Sequence, residues 1–192
     1  MILQYLSVLP SFFTFSKALI PTPAIVKTGH NTFRGREFSM EGKHMNETIQ
    51  LLKDVAKNAR SGEEAITQLI DKVETAEMKG ELSRELTQYR DAARQAESAL
   101  TAAGGTPEPV GMMQKAGMWM GTQMNTLTDR SNAHIAEMVI QGATMGIIEM
   151  TKARNTCPDA DPEAAGLASR FIVDQNDIIE RQKVYLQEPV LA

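Results

Sequence analysis

A regular apolar stripe near the middle of the chain is its most constraining feature. Between residues 78 and 103 an apolar residue recurs at every third or fourth position, namely at Met78, Leu82, Leu86, Tyr89, Ala93, Ala96, Leu100 and Ala103. This near-heptad spacing places all of them on one face of a helix and favours knobs-into-holes packing against other helices. The stripe therefore predicts a long helix that is stable only when packed against partner helices.

Three further long helices are predicted by the same kind of spacing. Apolar residues three and four apart run from Asn46 to about Thr75, from Ser131 to about Asn155, and from Asp161 to about Leu186. A shorter helix, rich in Met and Gly, is predicted over residues 110–128. No strand pattern is present, so the sequence predicts an all-α antiparallel four-helix bundle with a short extra helix between the second and third long ones.

The ends of these helices carry the residue types that start and stop helices. Gly104-Gly105 supplies a left-handed stop after the second helix. Ser131 is predicted to be the N-cap of the third long helix, and Asp161-Pro162 to open the fourth. The third long helix has apolar residues on more than one side, and we expect it to be the most buried of the four.

Composition limits the class of protein. The net charge is −4 and the pI is near 5.5, which argues against a nucleic-acid partner because phosphate binding needs clustered Lys and Arg. Cys157 is the single cysteine, so no disulfide can form within the chain and a cytoplasmic location is the expectation. We interpret Cys157 as an incidental thiol, because no His or Asp neighbours it as a nucleophile would need.

The first 44 residues differ in composition from the rest. Five of the six Phe precede Met45, and the segment shows no helical period. It is a poor signal peptide because no basic residue precedes its apolar run, and that run is too short for a membrane span. The third interpretation is that residues 1–44 are an irregular, non-native extension from translated upstream sequence and that Met45 is the true start of a bundle over residues 45–188. An intact mass beginning at Met1 would contradict it.

The chain resembles the ferritin-like superfamily, and within it the small bacterial members of unknown function. The residues that carry the resemblance are Gly62-Glu63-Glu64 in the first helix, Gly104-Gly105-Thr106-Pro107 after the second, and Trp119 in the short helix. The resemblance covers about Asn46 to Leu186. It implies the fold and a tendency to form oligomers, and by itself it does not imply iron.

A di-iron site of this superfamily needs a Glu on each of two helices and a Glu-x-x-His on each of the other two. This sequence contains no Glu-x-x-His. His134 and Glu137 have the reverse spacing, His-x-x-Glu, in the first turn of the third long helix. We expect a solvated helix end there. The alternative is an iron-binding protein that uses carboxylates near the middle of the bundle, and its candidate ligands are Glu63, Glu64, His134, Glu137 and Glu149.

Antiparallel packing predicts which residues share the middle level of the bundle. Glu63, Tyr89 and Gln175 are expected to form a polar layer there, with Gln141 as a further candidate. One carboxylate without an imidazole is too few ligands for two irons. We therefore expect a hydrogen-bond network in this position. For Glu63 the alternative is that the carboxylate tilts toward solvent.

Methionines and glycines cluster in the second half of the chain. Eight of the twelve Met lie between Met112 and Met150, which we interpret as adaptable core filling in preference to a copper site. Two Gly-x-x-x-Gly pairs remove side chains from one helix face and favour close helix packing; they are Gly117 with Gly121 and Gly142 with Gly146. Apolar surface on the short helix favours a homodimer. We expect no membrane contact through the short helix, because helices that bind membrane surfaces are rich in Lys and Arg and this one has only Lys115.

These features rank the possible functions. The first hypothesis is a non-catalytic, self-associating helical-bundle protein without a cofactor. The second is the ferritin-like iron protein described above. A third is a surface or secreted protein, if the first 26 residues are a targeting segment. No nucleophile pair, phosphate loop or basic patch supports an enzyme or a nucleic-acid-binding protein.

Overall fold

The computed structural model describes residues 31–107 and 129–186, with side chains from residue 40 onward. Within these ranges the chain is helical and contains no strand. The four long helices are α1 (Asn31–Ile70), α2 (Ala76–Ala102), α3 (Asn132–Thr156) and α4 (Pro162–Gln182), and α4 continues into a short 3₁₀ helix, Lys183–Leu186. The predicted short helix with Trp119 lies outside the described residues.

Helix α1 begins at Asn31 and passes through Met45 without a break, which corrects the predicted helix start. No proline lies between Asn31 and Met45 to stop the helix. The last part of this extension contacts the rest of the protein, because Lys43 Nζ lies 2.7 Å from Asp159 Oδ2 and His44 Nδ1 lies 2.7 Å from the backbone oxygen of Asp159. The predicted irregular segment therefore does not extend to Met45. That translation starts at Met45 stays a prediction.

The helix ends follow the predicted capping residues with one change. Ser131 accepts a hydrogen bond from His134 N, and Asp161 accepts one from Glu163 N. Gly104 adopts a φ of +79°, and the N–H of Gly105 bonds the carbonyl of Leu100, as the predicted stop requires. Helix α1 ends at Ile70 and not at Thr75, because the Thr75 hydroxyl caps α2.

Contacts between helix ends fix the helix directions. The turn between α1 and α2 meets the start of α3, where Thr75 Oγ1 lies 2.9 Å from Asn132 Oδ1. At the other end, the N–H of Asp161 donates to Thr48 Oγ1 over 2.8 Å, which brings the start of α4 to the first half of α1. Helices α2 and α3 therefore run in the same direction, opposite to α1 and α4. The end of α2 and the start of α3 therefore lie at opposite ends of the folded chain.

One apolar core joins the four helices. Helix α2 buries six of its predicted stripe residues, listed from start to end as Met78, Leu82, Tyr89, Ala93, Ala96 and Leu100. Helix α3 is not the most buried helix, which corrects the expectation from its composition. Met145 is 51% exposed and Ile148 is 41% exposed on it, because the core takes one face of α3 and its other apolar residues stay outside. No helix in residues 31–107 or 129–186 combines the length and apolar character that a membrane span needs.

Candidate functional site

The centre of the assembly holds a hydrogen-bonded pair of buried polar side chains. Tyr89 of α2 donates its hydroxyl to Gln175 Oε1 of α4 over 2.6 Å. Gln175 is 2% exposed, and Phe171, one turn earlier on α4, packs its ring in a tilted arrangement against Tyr89. Burial raises the pKa of Tyr89, so the phenol stays neutral. The structure thus brings together two of the four residues predicted for the polar layer.

Gly62 of α1 lies against the Tyr89 ring, and its lack of a side chain leaves space for that ring. A Cβ added to Gly62 would overlap the Tyr89 ring atoms Cδ1, Cε1 and Cζ. The glycine costs helix α1 about 1 kcal/mol relative to alanine. That cost is explained by the close approach of the ring, so Gly62 serves packing between α1 and α2.

Glu63 does not join the polar layer. This corrects the expectation that Glu63 belongs to the central hydrogen-bond network and agrees with the alternative, in which its carboxylate turns toward solvent. Its side chain is 20% exposed and is held by two arginines, with Arg60 Nη1 at 2.6 Å and Arg90 Nε at 2.9 Å. Burial alone would raise the pKa of Glu63, but the hydrogen bonds from Arg90 and Arg60 outweigh it and hold that pKa below its ordinary value. Arg60 also forms a two-pronged pair with Glu97 of α2. Glu63 therefore ties α1 to α2.

Gln141 also lies outside the layer, because it is exposed on α3. The inward-facing positions of that helix are Val139 and Ala143, which are both buried. Gln141 follows Val139 by two positions and therefore lies on the other side of the helix.

A cavity of about 290 Å³ opens between α1 and α3 and reaches the Tyr89–Gln175 pair. Its lining includes Ile66 and Leu69 from α1, Val139 from α3, and Phe171 and Gln175 from α4. Gly142 and Gly146 lie along its α3 side. At Gly146 the side chains of Phe171 and Gln175 of α4 approach closely, since an added Cβ would lie 3.4 Å from Gln175 Oε1, and close packing at the pair as a whole stays a prediction. The other pair, Gly117 and Gly121, lies outside the described residues.

The candidate metal ligands do not converge. Glu64 and Glu149 are exposed residues that line the cavity. His134 Nδ1 lies 3.8 Å from Glu137 Oε2 at the start of α3, at the level of the α1–α2 turn and away from the centre. Across residues 40–107 and 129–186, no three His, Cys, Asp or Glu side chains are grouped as a metal would require.

A second buried polar pair was missed from the sequence. Glu85 of α2 and Gln182 of α4 are both 0% exposed, and Gln182 Nε2 donates to Glu85 Oε1 over 2.7 Å. The two remaining oxygens, Glu85 Oε2 and Gln182 Oε1, have no hydrogen-bond partner. A protonated Glu85 would carry the missing donor, because a carboxylic acid and a primary amide can exchange two hydrogen bonds in one ring.

The surroundings of Glu85 favour its protonated form. Burial raises the pKa of Glu85 to about 7, and the nearby charge of Glu81 adds to this, while the hydrogen bond from Gln182 and the charge of Arg181 oppose it. Tyr89 on α2 and Tyr185 on the 3₁₀ helix also lie near enough to sense its charge. Arg181 itself binds Glu81 and Gln88 and covers this side of the pair.

The signal for this pair was present in the residue spacing. Glu85 lies four residues before Tyr89, and Gln182 lies seven residues after Gln175, so both occupy the inward face of their helices. Leu86, an apolar residue of the predicted stripe, is only half buried. Apolar residues identify the inward face of a helix, but Glu85 and Gln182 are polar and therefore were not predicted to lie on it.

Cys157 is buried at the start of the α3–α4 connection, and burial raises the pKa of its thiol. A raised pKa lowers the thiolate fraction and hence the nucleophilicity. This environment agrees with the interpretation of Cys157 as an incidental thiol.

Comparison with known proteins adds no identification: the chain matches no protein-family model, no curated protein and no solved structure. The site has to be interpreted from its own geometry. It consists of a neutral hydrogen-bonded pair, a cavity that ends on that pair, and a second buried pair containing a protonatable carboxyl group.

Proposed function

We propose that this chain is a non-catalytic, self-associating helical-bundle protein with a ferritin-like fold and without a complete di-iron site. The observation that carries the proposal is the neutral Tyr89–Gln175 pair at the centre, where a di-iron protein needs carboxylates and imidazoles. A cytoplasmic location is part of the proposal and rests on the single buried cysteine.

Helix directions support the ferritin-like part of the proposal. Helices α2 and α3 run in the same direction, so the end of α2 and the start of α3 lie at opposite ends of the protein. One long crossover between the second and third helices distinguishes ferritin-like folds from bundles with short connections throughout.

The alternative, an iron protein that uses Glu63 and neighbouring carboxylates, has less support. Both oxygens of Glu63 already accept hydrogen bonds from Arg60 and Arg90. A metal ion at Glu63 would have to displace both guanidinium groups. The candidate ligands that could join it, Glu64 and Glu149, are exposed. Gln175 and Tyr89 are neutral and add no charge to balance a divalent ion.

The self-association part rests on the outer face of α3. Met145 and Ile148 are large apolar side chains that are 51% and 41% exposed on neighbouring turns of this helix. An exposed apolar patch on a helix is a common dimer contact, and a twofold axis would bring the same face of two copies together. We propose a homodimer through this face.

Iron loading separates the two functions. The purified protein is incubated with Fe(II) without oxygen, freed of unbound metal, and its iron and protein contents are measured. We expect fewer than about one iron per ten chains, because the centre provides no anionic ligand set. One or two irons per chain, abolished by Glu63→Gln, would establish the alternative and remove the proposal.

Sedimentation velocity tests the dimer. We expect the wild-type chain to shift to twice the monomer mass as its concentration rises, and Ile148→Lys to weaken that shift because it places a charge in the contact. Val173→Lys is the matched control, since Val173 is an apolar residue that is 56% exposed on α4 and not on α3. A wild-type protein that stays monomeric at all concentrations would contradict self-association.

A further inference from the structure

We propose that the cavity between α1 and α3 is a binding site for a small, neutral, mainly apolar molecule that carries one carbonyl oxygen. This inference goes beyond the proposed function, because it assigns a ligand class to the centre whether or not the protein forms dimers. It rests on three properties of the cavity: an amide donor at its inner end without an acceptor among the described residues, its apolar walls and its size.

The donor is the amide nitrogen of Gln175. Its Oε1 accepts the Tyr89 hydroxyl, and no side chain or backbone oxygen of the described residues accepts a hydrogen bond from its Nε2. The side chain is 2% exposed and lines the cavity, so the amide is reached from the cavity and not from the outer surface. A ligand carbonyl oxygen at this position would accept a hydrogen bond from Nε2.

The Tyr89 hydroxyl fixes which end of the amide is available. Its proton goes to Gln175 Oε1 over 2.6 Å, so the amide presents its two N–H groups on the other side. The inner end of the cavity therefore recognises an acceptor, and a carbonyl group fits this requirement.

The walls and the charges select a neutral molecule. The apolar part of the lining includes Ile66, Leu69, Val139 and Phe171. The charged residues of the lining are Lys57, Glu64 and Glu149, all three exposed. A carboxylate or phosphate ligand would find no cation at the inner end and would face the two glutamates, so its burial would be unfavourable.

The size of the cavity sets the size of the ligand. Its volume is about 290 Å³. A cavity of roughly 150 Å³ with apolar walls accommodates benzene, so this one fits a molecule of about twice that size or less. Gly146 lies on the wall of the cavity beside Gln175, because a Cβ added there would lie 3.4 Å from Gln175 Oε1 and 3.6 Å from the Phe171 ring.

Acetophenone and isopropylbenzene are suitable probes, because they share one shape and differ in whether an oxygen is present. The full chain, labelled with ¹⁵N, is titrated with each while the Gln175 side-chain amide and the Gly146 backbone amide are followed by NMR. We expect saturable shifts at both amides with acetophenone, and a dissociation constant roughly three- to tenfold lower than for isopropylbenzene. In Gln175→Met that preference should disappear, because the donor is gone and the volume is similar.

A blocking variant checks the location. Gly146→Leu should abolish the acetophenone shifts, because its side chain enters the cavity beside Gln175. Gly166→Leu is the control, since a Cβ added to Gly166 meets no atom within 4 Å. The proposal is overturned if acetophenone causes no saturable shift in the wild type, if both probes bind equally, or if Gly146→Leu folds and still binds. If Gly146→Leu does not fold, the loss of the preference in Gln175→Met decides.

Discussion

Gly62 shows at the scale of single residues how one missing side chain positions a buried group. The Tyr89 ring occupies the space in which any other residue at position 62 would place its Cβ. The ring in turn directs its hydroxyl at Gln175 Oε1. The Gly62-Glu63-Glu64 sequence singled out by the resemblance thus has a packing role at Gly62 and an ion-pairing role at Glu63.

Alanine at position 62 should destabilise the protein, although alanine is the better helix former. The added methyl group overlaps Tyr89, and moving the ring strains its hydrogen bond, so we expect a loss of roughly 1–3 kcal/mol in the free energy of unfolding measured in urea. Gly80→Ala is the matched control on α2, where an added Cβ meets no atom within 4 Å. It should gain about 0.5–1 kcal/mol. An equal gain from both substitutions would show that the ring does not occupy this space.

Glu85 should make stability fall as the pH rises. Burial raises the pKa of Glu85 from its ordinary value of 4.5 to about 7, so the folded state holds the proton more tightly. The stabilisation is complete below the unfolded pKa and is lost as the pH rises through about 7. The groups facing it are Glu81, Arg181 and the two neutral phenols of Tyr89 and Tyr185.

Glu85→Gln isolates this effect, because the amide resembles the protonated acid at every pH. We expect the variant to equal the wild type near pH 5 and to exceed it near pH 8 by roughly 1–3 kcal/mol in the free energy of unfolding. Glu74→Gln, an exposed position, should show no such pH-dependent difference from the wild type. A variant that is less stable than the wild type at pH 8 would mean that Glu85 is stabilised as a carboxylate.

At the scale of helices, the caps, the stripes and most boundaries were predictable, and the two ends of α1 were not. Local chemistry identified Ser131 and Asp161 as N-caps and Gly104 as a stop, because each acts on its own backbone neighbours. The start of α1 was missed because the segment before Met45 has no apolar period, although Lys43 and His44 contact Asp159 across the chain. Such a tertiary contact has no trace in local spacing.

The N-cap of α4 offers a test at this scale. Asp161 accepts from the N–H of Glu163 and donates its own N–H to Thr48 of α1, so it both starts a helix and joins two. Asp161→Ala should lower the free energy of unfolding by about 1 kcal/mol, whereas Asp161→Asn should lose less because asparagine is also a good cap. Equal losses in both variants, measured by thermal unfolding, would attribute the effect to charge and not to capping.

At the scale of the whole molecule, the centre was only partly predictable. Spacing along each helix brought Tyr89 and Gln175 to one level, since both lie on core stripes. The outward orientation of Glu63 depends on ion pairs with Arg60 one turn earlier and with Arg90 of another helix. The exposure of Gln141 depends on how α3 is rotated about its axis. The cavity arises from the separation of α1 and α3, which no single helix encodes.

The molecule therefore has a centre organised by two buried hydrogen-bonded pairs, of which one is neutral and the other contains a protonatable carboxyl group. Buried polar groups of this kind are stable only when both partners are present. The Tyr89–Gln175 pair joins α2 to α4, and the Glu85–Gln182 pair joins the same helices nearer the start of α2. This arrangement supports the proposal of a structural or ligand-binding role over metal chemistry.

A double-mutant cycle on Tyr89 and Gln175 tests this central claim most directly. The free energy of unfolding is measured in urea for the wild type, Tyr89→Phe, Gln175→Met and the double variant, at one pH and protein concentration. We predict that each single substitution costs roughly 1–3 kcal/mol and that the double costs less than their sum by about 1 kcal/mol or more. Losses that add within about 0.5 kcal/mol would contradict the account, because they would mean that the two side chains do not interact.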